Sequence, residues 1–466
     1  MKKIWRSICS VSLAALLLLG GAAAEELAPQ GAEPVSAPLQ EPAPWAYGYI
    51  ADAYSLKLLD DGYGAYITSP VTLEQVEALA ATAAEKLALL GLAPREGSGE
   101  SLPLDTTRGG VVNALYQELA AYDLPQAGLT PAEALRALKV LRGDGTGLAL
   151  ERTCTYQEAM VMTTRLILAV YDSQDAGSRG LLWKAVNGDT TLYLLGTAHM
   201  DRSNVYPFHK TLREAIASAD EVILELDFND QEGLAQFAAM QTYTDGTSLS
   251  DHISEALFAQ TAQAFAALGM PEEQVAAYKP WALANTLMSL STQDETAAGA
   301  PMAMDLYLSA AAVSAGKKTG AVETYVLQGG IFDTLSPEYQ EAYLAAYVSM
   351  ALADESDRSE EERKQLQEAM ELQQQGLDAI MEAWKTGDTA AFETIYEKSA
   401  IVDSDDELNS RLFTDRDPNM IRYAADLLER EGENTFLMAV GAGHMVDPGG
   451  IVSGLRALGY QVEPMG

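Results

Sequence analysis

The chain has 466 residues and a formal net charge of −37, from 67 acidic and 30 basic side chains. So acidic a surface repels nucleic acid and anionic lipid, and neither is expected as a partner. Cys9 and Cys154 are the only cysteines, and the length suffices for two or three cores of ordinary domain size.

Residues 1–24, "MKKIWRSICSVSLAALLLLGGAAA", run from a basic start through an apolar stretch to small residues. That is the layout of a secretory signal peptide cut after Ala24. Its apolar part, residues 11–19, is too short for a span of about 20 residues. The mature protein is therefore expected to be secreted or cell-wall-associated, with no membrane span after cleavage. Cleavage leaves Cys154 alone, so no intramolecular disulfide is expected. Residues 25–44 are rich in Pro, Ala and Glu and read as an extended linker. Residues 45–177 read as a small all-α domain, in which Thr72, Thr107 and Thr155 each precede an amphipathic stretch. These threonines are expected helix starts, with Glu158 at the capping-box position after Thr155.

From residue 178 to 466 apolar strands alternate with helical stretches, which predicts an α/β domain: a mixed sheet with a large helical insert. "LLWKAV" and "TTLYLLG" flank Asn187-Gly188, a tight hairpin signal. "EVILELD" follows the amphipathic "HKTLREAIASAD", and "KTGAVET" follows "DLYLSAAAVSAG". "NTFLMAVG" and "GYQVEPM" flank the helix-like "GGIVSGLRAL". Long helical segments are expected over 251–292 and 338–397, with "DESDRSEEERKQ" the solvated start of one helix.

Two of the four histidines stand in matching settings. "LYLLGTAHM" and "FLMAVGAGHM" each end a strand in Gly-x-x-His-Met, carrying His199 and His444. Glycine lets the chain turn sharply as it leaves the sheet, which sets the imidazole above the carboxyl edge, where open α/β folds bind ligands. "EVILELD" is expected to bring Glu225 and Asp227 to the same edge, pointing the same way because alternate strand residues share a face. Two neutral imidazoles and a carboxylate suit a divalent metal, or metal-free acid–base chemistry. His209 and His252 read as ordinary helix-associated residues, and Trp281 and Trp384 as core. No Gly-x-Ser-x-Gly elbow, His-Glu-x-x-His helix, phosphate loop or dinucleotide fingerprint is present.

The segment from about residue 181 to 465 resembles the TraB/GumN family, whose animal relatives include the Tiki metalloproteases. The resemblance rests on "LLWKAVNGDTTLYLLGTAHM", "ADEVILELD", "DGTSLSDHIS", "KPWALANTL", "MDLYLSAAAVSAGKKTGAVETYVLQ", "AWKTGD", "LFTDRDPNM" and "FLMAVGAGHMVDPGGIVSGLRALGYQVE". It implies a shared site built from both histidine motifs, a glutamate and an arginine, here His199, His444, Glu225 and Arg416. Arg416 is followed by Asp417, where the family usually has asparagine. Glu323 and Asp305 also match family positions. The activity implied is that of a Tiki-like, metal-dependent hydrolase acting on a peptide or protein substrate. His199, His444 and Glu225 would hold a divalent ion (manganese, cobalt, zinc or iron), with Glu225 as third ligand or general base. Glu323 joins the catalytic set, and Arg416 would hold a substrate carbonyl or carboxylate by bidentate hydrogen bonds. The alternative is a non-catalytic protein that binds or sequesters a peptide, or a cell-wall-associated regulator. Residues 45–177 resemble degenerate S-layer homology modules, through "PWAYGYIADAYSLKLL", "LRGDGTGLALERTCTYQEAMVMTTRLI" and the pair Thr107-Arg108. That resemblance implies cell-wall polysaccharide as a further partner.

Overall fold

Gly188, at φ +56°, reverses the chain between β1 (Leu181–Asn187) and β2 (Thr190–Thr197), and Asn187 pairs with Thr190 across the turn. The hairpin is one side of a six-stranded sheet in a computed structural model that describes residues 39–96, 102–143, 145, 147–198, 205–292, 302–353 and 359–465. The other strands are β3 (Glu221–Leu224), β4 (Lys318–Ala321), β5 (Asn434–Gly441) and β6 (Val462–Pro464). Their spatial order is β4-β3-β5-β2-β1-β6. Neighbours among β4, β3, β5 and β2 run parallel, whereas β1 is antiparallel to both β2 and β6, so the sheet is mixed as the sequence predicts.

The run "FLMAVG" of β5 is buried throughout, as a parallel strand covered on both faces must be. Helix Met304–Ser314 packs on β3 and β4, and helix Asp417–Leu428 lies against β1 and β2. Trp384, near the end of helix Glu360–Thr386, is wholly buried and donates its indole N–H to the Gly196 carbonyl at 2.7 Å. Trp281 is also buried and centres a second core with Phe265, Phe332 and Leu344 in the helical insert.

The long helical segments are interrupted. Residues 251–292 contain Glu255–Ala266 and Pro280–Thr292, separated by a turn at Gly269 (φ +83°). Residues 338–397 break at Gly387, whose φ of +74° ends Glu360–Thr386. That helix begins at Ser359, which closes a capping box with Glu362, and its first turns are exposed. Residues 354–358 of the acidic run lie outside the described residues, as do the leader and the linker up to residue 38.

The expected helix starts are all found. Thr72, Thr107 and Thr155 cap Leu73–Ala88, Arg108–Ala120 and Tyr156–Ser173, and Thr155 forms its capping box with Glu158. These helices pack into the same buried cluster as the sheet, which runs without interruption from Ala46 to Val462. Polar contacts reinforce the junction. Tyr307 donates to Asp52 at 2.7 Å, Lys86 donates to the Tyr206 carbonyl at 3.2 Å, and Arg213 pairs with Asp172. Among the described residues no helix is long and apolar enough to cross a membrane.

Truncating Trp384 to alanine empties a large buried volume and removes the indole hydrogen bond to the Gly196 carbonyl. It should destabilise the protein by about 3–5 kcal/mol, read as a lowered urea midpoint.

Candidate functional site

The parallel strands all discharge at one edge of the sheet. β3 ends at Leu224, so Glu225 is the first residue beyond it, and there it is buried. The backbone pairing of β4 runs on past its end: Val322 donates to the Leu224 carbonyl at 2.9 Å and Glu323 to the Glu225 carbonyl at 3.0 Å. This places the two glutamates side by side. β5 lies on the other flank of β3, and its last amide, that of Gly441, donates to Glu225 Oε2 at 3.2 Å. The turn Ala442–Met445 then folds across β2. Gly196 makes the crossing possible, since a β-carbon there would come within 3.0 Å of the Ala442 α-carbon.

The two Gly-x-x-His motifs therefore leave the sheet from neighbouring parallel strands, with Thr197 paired to Gly441. His199 itself lies outside the described residues.

Arg416, at the start of helix Asp417–Leu428, reaches under both glutamates. Its Nε donates to Glu323 Oε1 at 2.8 Å and its Nη2 to Glu323 Oε2 at 2.6 Å, while Nη2 also pairs with Glu225 Oε1. Nη1 faces the Leu412 carbonyl at 3.4 Å. Gln328 completes the lock, its amide nitrogen lying 2.7 Å from Glu225 Oε1 and 3.0 Å from Glu323 Oε2. Burial opposes ionisation of Glu225, but the charges of Arg416 and His444, with the Gly441 and Arg416 hydrogen bonds, outweigh it. The carboxyl is held down at about 2. Burial likewise opposes the charge on Arg416, and the two glutamates more than restore it, raising its pKa.

His444 is buried and fixed from behind. Its Nδ1 lies 2.6 Å from Asp417 Oδ1, and Lys398 donates to Asp417 Oδ2 at 2.7 Å and to the Val446 carbonyl at 2.9 Å. Phe413 packs between these groups, its ring centroid 5.1 Å from that of His444 and 5.0 Å from Lys398 Nζ. Burial lowers the Lys398 pKa, against the opposing pull of Asp417. Because a carboxylate can only accept, the Asp417 contact assigns a proton to Nδ1 of the imidazole.

Two expectations change. Asp227 does not share a face with Glu225, because β3 ends before either residue; it is half-buried and accepts the Asn229 amide at 2.9 Å in a turn. Arg416 does not present its bidentate edge to a substrate, because Glu323 occupies that edge. Asp305 is buried in the first turn of helix Met304–Ser314. His209 caps helix Lys210–Ser218, and His252 stacks on Tyr243 at 4.3 Å, both structural as expected.

Lys398 and Gln328 escaped the sequence reading. Lys398 sits among polar neighbours and Gln328 in an apolar helical stretch, and neither carries a motif that marks it as part of a site. Asp417 stood in view as the residue after Arg416, but its partner His444 lies 27 positions away.

A mixed α/β sheet with carboxylates and an imidazole gathered at its carboxyl edge has the layout of a ligand-binding or catalytic α/β domain. The model of the TraB/PrgY/gumN family matches residues 181–464, well over half of the chain, and the protein belongs to that family. No curated protein and no solved structure matches it.

Replacing Arg416 by methionine leaves two buried carboxylates facing each other without a cation. The loss of stability should reach about 3–5 kcal/mol in urea unfolding, and Arg416→Lys should recover little of it because an ammonium lacks the planar fork. The pH profile supplies a separate check. Folding lowers the Glu225 pKa to about 2, so its ionised form adds stability that is complete above the ordinary glutamate range and is lost as pH falls toward 2. Between pH 5 and 2 the urea midpoint should fall more steeply in the wild type than in Glu225→Gln.

Proposed function

We propose that this family member is an exported, metal-dependent hydrolase of peptide bonds, with the site at the carboxyl edge of β3, β5 and β2. One observation carries the reading: Glu225 and the His444 turn meet at one buried point, joined by the Gly441 amide, and the strand leading to His199 lies directly beside β5.

Among the described residues no group of three metal-ligating side chains is gathered, and the reading rests on two of them, His444 and Glu225, with His199 as the third. With Asp417 on Nδ1, the neutral imidazole of His444 would offer Nε2 to a metal, an arrangement typical of metal-ligating histidines. Glu225 Oε2 accepts only the Gly441 amide among the described residues, which leaves it a further lone pair. Three carboxylates, Glu225, Glu323 and Asp417, face two cations, Arg416 and Lys398, so the site keeps one negative charge when His444 is neutral. His199, His444 and Glu225 would hold the ion, which when bound would acidify a water and polarise the scissile carbonyl. Arg416 and Gln328 fix Glu225 in one rotamer, and Asp417 fixes the imidazole, so both donors are set in place before a ligand arrives.

Attachment to wall polysaccharide through residues 45–177 gains no support from Arg108. Its guanidinium is buried, donating to Glu158 at 2.7 Å and to the carbonyls of Leu148 and Arg142.

Elemental analysis of the full-length protein tests the proposal. About one equivalent of manganese, cobalt, zinc or iron is expected, and a His199→Ala/His444→Ala double mutant should contain none. Absence of metal from the wild type, even after reloading, would replace the hydrolase reading with that of a peptide-binding protein.

A further inference from the structure

A hydrolase of this design needs a hydrogen-bond donor aimed at the oxygen on which negative charge grows. The charged donors beside His444 are not open to that task. Every guanidinium nitrogen of Arg416 already has an acceptor, and Lys398 lies behind Asp417 with its ammonium on a carboxylate and a carbonyl. Among the described residues, a neutral side-chain donor beside His444 is uncommitted. Tyr396, the last residue of helix Thr389–Tyr396, sets its hydroxyl against Gly443, immediately before His444. The approach is close: a β-carbon on Gly443 would come within 2.5 Å of the phenolic oxygen. The phenol is half-buried, yet among the described residues nothing hydrogen-bonds to it, although a tyrosine hydroxyl in such a setting usually finds a partner.

The backbone is strained where it delivers this group. Glu397, a residue with a β-carbon, sits in the left-handed region at φ +49°, ψ +43°, between Tyr396 and the buried Lys398. On either side of that kink, Tyr396 reaches Gly443, and Lys398 reaches Asp417 and the Val446 carbonyl. Phe392 stacks on the Tyr396 ring at 5.4 Å, and the ring packs against both the sheet core and the core of the helical insert. The hydroxyl thus stands at the seam between the two cores. Burial, followed by the charge of Asp417, raises its pKa, so it remains a donor at any working pH.

We infer that Tyr396 is a catalytic residue that donates a hydrogen bond to the carbonyl oxygen of the bound peptide. The bond strengthens as that oxygen gains charge, and the proton stays on the phenol throughout. The inference rests on the hydrolase reading, in which it takes over the role that Arg416 is not free to fill.

The test uses manganese-loaded full-length protein and two probes. One is the amide of N-acetyl-Ala-Ala, and the other its phosphinate analogue, whose tetrahedral anion imitates the hydrated carbonyl. Titration calorimetry should show Tyr396→Phe binding the phosphinate on the order of 10- to 100-fold more weakly than the wild type, in line with loss of one hydrogen bond to a charged oxygen. Affinity for the planar amide, manganese affinity and Tm should stay as in the wild type. Equal phosphinate affinity in the two proteins overturns the inference and leaves the hydrolase reading standing. A fall in manganese affinity or Tm that accounts for the loss overturns it in favour of a structural role. A wild-type protein that binds manganese but not the phosphinate overturns both.

Discussion

Two glutamates on adjacent parallel strands cannot both stay ionised in a dry interior unless a cation lies within reach, and here Arg416 is that cation. Its guanidinium is planar and forked, so one edge grips Glu323 while the same nitrogen also reaches Glu225. The rest of the edge is organised around this compensation. β4 must lie next to β3 to bring the glutamates together, and helix Asp417–Leu428 must begin at the sheet edge to bring the arginine under them. Because Asp417 follows Arg416 directly, the same helix start also delivers the carboxylate that orients His444. Asp417 is a further buried charge, and it has its own cation in Lys398. Each buried carboxylate is thus met by a positive group, which is the condition for keeping charge inside a protein.

The parts of the fold that depend on local periodicity were legible. The β1–β2 hairpin, the apolar β5 and the threonine-capped helices all come from patterns within ten or fifteen residues. β3 was read too long because "EVILELD" keeps alternating after the pairing stops at Leu224, and alternation alone cannot show where a neighbouring strand ends. Two of the breaks in the helical stretches sit at glycines of positive φ, Gly269 and Gly387, which a reading of apolar content passes over. Of the site, Glu225, Glu323, Arg416 and His444 could be named from motifs, and the structure places these four in one buried neighbourhood. Their bonding could not be named. Whether an arginine faces a substrate or a glutamate depends on contacts between positions 93 and 191 residues apart, and no local pattern encodes that.

The site also explains why the chain carries two hydrophobic cores. The sheet and its helices form one, and the insert around Trp281 forms the other. Glu225 and Glu323 stand at the points where the chain leaves the sheet, and Leu226 and Tyr325, just beyond them, already belong to the insert core. Polar groups placed at such a seam can be buried without interrupting either core.

The N-terminal helices share their buried cluster with the sheet and are tied to it by Tyr307–Asp52 and by Lys86. They are consequently not a tethered module that samples its own orientations. Whatever those helices were to grip would be held at a fixed distance and bearing from the sheet edge. The pairing would work as a jig, in which docking one end decides which way the sheet edge faces.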